Sequence, residues 1–238
     1  IMLCFFNFNK KFVMIIFFFR RYNDIDHITP IIYRMFMDGH ENIEVLCLNP
    51  KLDINNDFRC LFLKDKCNLT VRLVYDAYHP TRFHKIIASF IKWSEFKSTY
   101  NSNKATIISK INYILRAISN RFFYPFFFNK YVSKKVFSND WATKMLREKK
   151  PSKLVFDRHN TSKRYPSCAL VTAAKNLNIP LIAVPHGLAL STNDDWTNEA
   201  YKTNGLNNFR EILKDFDAYL VPFSLYKQKV VRGGADSS

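Results

Sequence analysis

Six short apolar runs, each ending abruptly in polar residues, constrain the fold of this chain more than any other feature. The runs "KFVMIIFFF", "IEVLCLNP" and "LTVRLVYDAY" come early in the sequence, and "SKLVFDRHN", "IPLIAVPHG" and "FDAYLVPF" come late. Runs of this length that are rich in Val, Ile, Leu and Phe are typical of strands buried on both faces of a parallel sheet.

Helix-like segments separate these runs. In "TPIIYRMFMDG", Thr29 suits the N-cap, Pro30 the first helical position and Gly39 the C-terminal cap. Helices are also predicted over "NDFRCLFLKDKCN", "YPSCALVTAAKNLN" and "SLYKQKVVRGG", the last with Ser224 as its cap. A strand, a helix and a second strand make a right-handed βαβ unit. The sequence therefore predicts an α/β fold, a doubly wound and mostly parallel Rossmann-like sheet of six strands with helices on both faces.

The middle of the chain, residues 92–153, differs in composition from both ends. It holds 14 Lys or Arg against three acids, which supplies +11 of the formal net charge of +16. Its aromatics interleave with this charge in "NRFFYPFFFNKYVSKKVF". One interpretation is a basic helical excursion whose aromatics pack on the sheet. The other is a surface that lies on an anionic membrane. Nucleic acid is not expected as a partner, because no binding module is recognised.

The ends of the chain indicate how its domains are organised. Residues 1–10 are interpreted as a leader and 11–238 as one Rossmann-like domain. Asn7, Asn9, Lys10 and Lys11 interrupt the first apolar run, so neither a transmembrane helix nor a signal peptide is predicted. The chain begins with Ile1 and stops soon after the last predicted helix, so we expect a piece of a longer, cytoplasmic protein.

The five cysteines form no CxxC pair and are expected to be buried free thiols.

Polar loops follow four of the predicted strands, and in an open parallel sheet ligands bind beyond the carboxyl ends of the strands. The loops over residues 20–27, 157–160 and 186–195 would bring His27, His159 and His186 to one edge. An imidazole there can exchange protons near neutral pH, and Gly187 would let the backbone approach a ligand. His186 is therefore a candidate catalytic residue, or else a residue that only caps the strand end by a hydrogen bond.

Carboxylates accompany the first of these histidines. Asp24 and Asp26 could orient the imidazole of His27 or accept a proton from a hydroxyl, or they could serve as turn and capping residues. The predicted catalytic residues are His186, Asp26 and His27, and the predicted substrate-binding residues are Gly187, Asp24, Arg158, His159, Asp194 and Ser224. The sequence contains no GxGxxG after its first strand, no GxxxxGK[ST] and no HExxH, so no cofactor and no metal site are predicted.

Three segments resemble the N-terminal half of GT-B-fold proteins of surface-polysaccharide synthesis. They are "NDIDHITPIIYRMFMDGHENIEVLCLNP", "LIAVPHGLALSTND" and "FDAYLVPFSLYKQKVVRGGAD". The groups resembled are UDP-N-acetylglucosamine 2-epimerase-like and CDP-glycerol glycerophosphotransferase-like proteins. The resemblance implies the acceptor-side domain of a glycosyl- or glycerophosphotransferase of the capsule or cell envelope, with the C-terminal donor-binding domain missing and no activity of the piece alone.

The resemblance leaves alternatives open. The epimerases carry His-x-Glu-Ala-Gly-Leu-Arg after the corresponding strand, whereas this chain has His186-Gly187-Leu188 without the Glu and the Arg. A nucleotide-sugar epimerase is therefore the second enzyme hypothesis, and a non-catalytic carbohydrate- or membrane-binding module is the hypothesis from another class. The expected partners are a nucleotide-activated donor, a polyol or sugar acceptor and, through residues 92–153, the inner face of the cell membrane.

Overall fold

A computed structural model describes residues 13–95, 107–118, 133–157, 166–184 and 215–220. In chain order its elements are β1 Ile15–Phe19, α1 Tyr22–Met37, β2 Ile43–Cys47, α2 Phe58–Cys67, β3 Arg72–Leu73, α3 Val74–Ala77, α4 Arg82–Glu95, α5 Ile107–Ile118, α6 Ser133–Val136, α7 Asn139–Lys149, β4 Lys153–Asp157, α8 Ser167–Asn176, β5 Leu181–Val184 and β6 Ala218–Tyr219. The leader over residues 1–10 lies outside the described residues.

The strands form one parallel sheet in the order β3-β2-β1-β4-β5-β6. β1 is central and pairs with β2 from Ile15–Ile43 to Phe19–Cys47. On its other side β1 pairs with β4, with Ile15 opposite Lys153. All five residues of β1 are buried, as expected for a strand with helices on both sides. The predicted parallel, doubly wound α/β sheet is therefore confirmed.

Two hydrophobic cores lie on opposite faces of this sheet. Because side chains alternate along a strand, Phe17 packs into the core shared with α1 and α2, whereas Phe18 packs into the core shared with α4, α7 and α8. On the second face Phe18 stacks on Phe156 of β4, with ring centroids 4.4 Å apart. Trp141 of α7 is buried in the same core and donates its indole N–H to the Tyr78 carbonyl at 3.2 Å.

Helix α1 begins earlier than the sequence predicts. We expected residues 20–27 to be a loop and the helix to start at Thr29 and Pro30, but the helix starts at Tyr22 and Pro30 lies inside it. The Asp24 carboxylate caps this earlier start, because its Oδ2 accepts the backbone N–H groups of Arg20 at 2.7 Å and Arg21 at 3.1 Å.

Burial keeps α1 continuous across its proline. Pro30 has no N–H to donate to the preceding turn, which costs the helix one hydrogen bond. Ile25, Ile28 and Ile32 are fully buried on both sides of that position, and their apolar burial offsets the loss. The predicted C-terminal end is confirmed, since Gly39 follows the helix with a φ of +88°.

The third strand also differs from expectation, and the structure shows which face of α2 is buried. The run "LTVRLVYDAY" forms only the two-residue β3 before turning into α3, because Val74 and Tyr75 pack into the core and the Tyr75 ring meets Phe137 edge-on at 4.8 Å. In α2 the sequence places Phe58, Leu61, Phe62 and Asp65 at helical spacing. The helix buries Cys60, Leu63 and Cys67 and exposes Phe58 and Leu61.

The described parts of residues 92–153 are mostly helical before β4 begins at Lys153. They comprise the end of α4, then α5, α6 and α7. α7 buries Trp141 and Met145 in the core of the domain, so its apolar face packs as the first interpretation of this segment expects. Whether the whole segment is an insertion stays a prediction. In the ranges that the structure describes, no helix is both long enough and apolar enough to cross a bilayer.

Candidate functional site

The strand order places a topological switch point between β1 and β4. β1 leads into α1 on one face of the sheet, whereas the next helix after the neighbouring β4 is α8 on the opposite face. Connections that diverge from adjacent parallel strands open a crevice at the carboxyl edge, where ligands bind in open α/β sheets. The residues at the ends of β1 and β4 are therefore candidates for the site.

Three charged residues meet at this point and are named here the carboxyl-edge cluster: Arg20, Asp24 and Asp157. Arg20 directly follows β1, Asp24 lies in the first turn of α1 and Asp157 is the last residue of β4. The Nη2 of Arg20 donates to Oδ2 of Asp157 at 2.9 Å, and its Nε lies 3.9 Å from Oδ2 of Asp24. The three residues are 5%, 1% and 3% exposed, so the cluster is almost wholly removed from water.

Burial decides the protonation state of this cluster. Loss of solvent, followed by the negative charge of Asp24, raises the pKa of Asp157 from 3.8 to about 8, against the opposing effect of Arg20. Burial therefore favours the protonated form of Asp157, which reduces the negative charge buried beside the Arg20 guanidinium. A buried ionic group is stable only when its charge is compensated in this way.

Replacing Asp157 with Asn is expected to flatten the dependence of stability on pH. Between about pH 4 and pH 8 the folded protein holds a proton that the unfolded chain has released. The free energy of unfolding therefore falls as pH rises through this window, by roughly 1 kcal/mol per pH unit. The Asn amide can accept from Arg20 and donate to Asp24 as the protonated acid does, but it cannot titrate. Urea unfolding at several pH values tests this, and parallel curves for the two proteins would contradict it.

The carboxyl-edge cluster positions other groups and does not itself offer a surface to a ligand. Asn49, just after β2, donates from Nδ2 to the Arg20 carbonyl at 2.9 Å. The cluster and Asn49 together hold the carboxyl ends of β1, β2 and β4 and the start of α1 in one geometry. Residues on the outer side of that first turn, such as Tyr22 and Asn23, are exposed at the same edge.

Asp26, a predicted catalytic residue, lies on α1 and pairs with a cation from the neighbouring helix. Its Oδ1 accepts from Nη1 of Arg59 on α2. Asp57 holds the same guanidinium through contacts at 2.9 Å and 2.5 Å, and Arg59 lowers the pKa of Asp57 by this hydrogen bonding. The guanidinium lies over the Tyr22 ring, 5.7 Å from its centroid. An acceptor hydroxyl at Asp26 would have to share the carboxylate with Arg59.

His27 and Asp24 share the first two turns of α1. Asp24 is buried and caps the helix, which was the alternative to its predicted role in substrate binding. His27 is half-buried and lies three residues after Asp24, a spacing that puts both on one side of the helix. The structure thus brings two predicted site residues, Asp26 and His27, to the carboxyl edge, and their catalytic roles stay predictions.

The other predicted site residues lie outside the described residues: His186, Gly187, Arg158, His159, Asp194 and Ser224. β5 ends at Val184, two residues before His186 along the chain. The predicted convergence of three histidines therefore stays a prediction.

The sequence interpretation missed Arg20, Asp157, Asn49 and Arg59 as site residues. Arg20 and Asp157 each carried a signal, because each is the first charge at the end of an apolar run. Their pairing carried none, since 137 positions separate them in the chain. A charge that ends a buried strand is a useful indicator, but only the sheet order shows which charge it meets.

Thiol and metal chemistry receive little support from the described residues. Cys47, Cys60 and Cys67 are buried free thiols, as expected, but Cys168 is exposed, contrary to expectation. Burial raises the pKa of Cys60 to about 12, which disfavours the thiolate that a nucleophile needs. Within the described ranges no three His, Cys, Asp or Glu residues are grouped so that they could hold a metal ion.

Comparison with protein-family models and with curated protein sequences finds no match to this chain. A proposal on its function therefore rests on the sheet order, the carboxyl-edge cluster and the sequence motifs.

Proposed function

We propose that this chain is the acceptor-side domain of a GT-B-type glycosyl- or glycerophosphotransferase of cell-envelope polysaccharide synthesis. The observation that carries the proposal is the carboxyl-edge cluster at the switch point between β1 and β4. The cluster holds the start of α1, and α1 carries the two candidate bases Asp26 and His27. The resemblance of residues 23–50 to this class of protein supports the same reading.

The reaction requires a hydroxyl, a base and a leaving nucleotide. The acceptor oxygen attacks the donor carbon, or the donor phosphorus, that is bonded to the leaving nucleotide. That bond breaks, its electron pair departs with the nucleotide, and the hydroxyl proton passes to Asp26 or His27. His186 would protonate or stabilise the phosphate that leaves.

Rigid support of the base favours catalysis, because a misplaced base loses the benefit of orientation. α1 receives such support from two directions. The carboxyl-edge cluster holds its first turn, and Arg59 of α2 binds the outward-facing Asp26. A carboxylate and an imidazole on such a helix suit the recognition and activation of a polyol or sugar hydroxyl.

The test measures acceptor-dependent release of nucleotide from UDP-sugars and CDP-glycerol by the complete polypeptide. Asp26→Asn and His27→Gln are compared with Asp38→Asn, which alters an exposed carboxylate at the far end of the same helix. The variant that removes the base, either Asp26→Asn or His27→Gln, should have a kcat lower by about 10²-fold or more. Asp38→Asn should keep the rate of the unaltered protein.

Three results would overturn the proposal. Inversion at sugar C2 without an acceptor would indicate an epimerase. Carbohydrate binding without turnover in the complete polypeptide would indicate a binding module. Equal rates for Asp26→Asn, His27→Gln and Asp38→Asn would remove both candidate bases.

A further inference from the structure

Helix α5 carries an apolar stripe that is open to solvent. Ile111, Ile114, Leu115 and Ile118 follow the spacing i, i+3, i+4, i+7, which in a globular protein is the face that packs on a core. Here these four side chains are 48–55% exposed. Every other α5 side chain whose burial is described is exposed as well. Among the described residues, neither hydrophobic core includes this stripe.

Exposed apolar side chains are frequent in α4 and α5. Of the 12 large hydrophobic residues that are exposed within the described ranges, seven lie in these two helices. On α4, Ile87 and Ala88 pack into the core while Phe83 and Ile86 face outward. Single exposed apolar residues are ordinary on a protein surface, whereas a contiguous stripe such as the one on α5 marks an interaction surface.

The charge of the surrounding sequence selects the partner. Residues 92–153, which include α5, hold 14 Lys or Arg and three acids. In a dimer formed through this segment, the positive charges of the two copies would lie close together and repel each other, which costs electrostatic free energy. Nucleic acid would contact lysines and arginines but would leave an isoleucine stripe in water. An anionic bilayer is the surface that accepts cations at its headgroups and apolar side chains beneath them.

We propose that α5 lies in the plane of an anionic lipid bilayer with Ile111, Ile114, Leu115 and Ile118 inserted below the headgroups. The helix has 12 residues and is about 18 Å long. It is therefore shorter than a helix that crosses the hydrocarbon core, which needs roughly 20 residues. The association is peripheral and reversible, and it weakens as salt screens the cations. It goes beyond the transferase proposal and does not depend on it.

Co-sedimentation with vesicles tests the interaction. The protein should bind vesicles of phosphatidylglycerol with phosphatidylcholine, bind vesicles of phosphatidylcholine alone more weakly, and leave the anionic vesicles at high salt. A double variant, Ile111→Asn with Ile114→Asn, should lower the partition coefficient on anionic vesicles by about tenfold or more, because two inserted side chains are lost. Phe58→Asn is the control, since Phe58 is also a large exposed apolar side chain but lies on α2 outside the basic segment.

Several outcomes would overturn the proposal. Absence of binding to both kinds of vesicle would remove the membrane as partner. Unchanged binding by the double variant, with its fold verified by circular dichroism, would remove α5 as the inserted face. A dimer seen by light scattering that only the double variant abolishes would assign the stripe to a second copy. None of these readouts uses nucleotide turnover, so they separate this proposal from the transferase proposal.

Discussion

Replacing Arg20 with Met is expected to lower the free energy of unfolding by about 3–5 kcal/mol, because it leaves buried carboxyl groups without their cation. The guanidinium donates to Asp157 at 2.9 Å and lies beside Asp24, and all three side chains are nearly inaccessible to water. Methionine reproduces the aliphatic stem of arginine but not its guanidinium, so the expected loss also includes the space that the guanidinium leaves. The measurement is equilibrium unfolding in urea near neutral pH.

The same substitution at an exposed ion pair is the control. Arg34 pairs with Asp38 at 3.0 Å on α1, with side chains 62% and 46% exposed. Arg34→Met should cost less than about 1 kcal/mol, because solvent screens such a pair. Equal small losses in the two variants would contradict the role given to the carboxyl-edge cluster.

If the proposed transferase function holds, replacing His186 with Gln is expected to lower the rate of transfer by about 10²–10⁴-fold while the protein stays folded. His186 follows β5 by two residues in the sequence, and the proposed site lies at the carboxyl edge of the sheet to which β5 belongs. Glutamine keeps hydrogen-bonding groups but cannot take up or release a proton near neutral pH. The measurement is nucleotide release with donor and acceptor both present, over a range of pH.

His40→Gln provides the matched control, because His40 lies after the C-terminal end of α1, away from the carboxyl edge. Its rate should equal that of the unaltered enzyme, and only His186→Gln should lose the ionisation of an imidazole from the pH–rate profile. An unchanged rate for His186→Gln would assign His186 to the capping of a strand end.

Strands were the elements that local sequence predicted best. β1, β2, β4 and β5 coincide with apolar runs, because a strand buried on both faces must be apolar along its length. Their parallel pairing followed from the helices between them, since parallel strands need a crossover connection. α8 also lies where its pattern placed it.

Two of the failed predictions arose because capping and packing contacts outweighed the preferences of single residues. Thr29 and Pro30 are good helix-start residues, but the capping of α1 by Asp24 and the burial of Ile25 and Ile28 extend the helix through them. Likewise the third apolar run shortens to β3 because Tyr75 packs against Phe137 from a later part of the chain.

The sequence by itself determined the fold class and the edge of the sheet where polar residues gather, because apolar run length and polar run ends are local properties. It also brought Asp24, Asp26 and His27 to attention. Only the tertiary structure decided that Asp24 is a buried cap, that Asp26 pairs with Arg59, and that Arg20 reaches Asp157 across 137 residues. Partners and protonation states depend on burial and on which strands are neighbours, and neither quantity exists before the chain has folded.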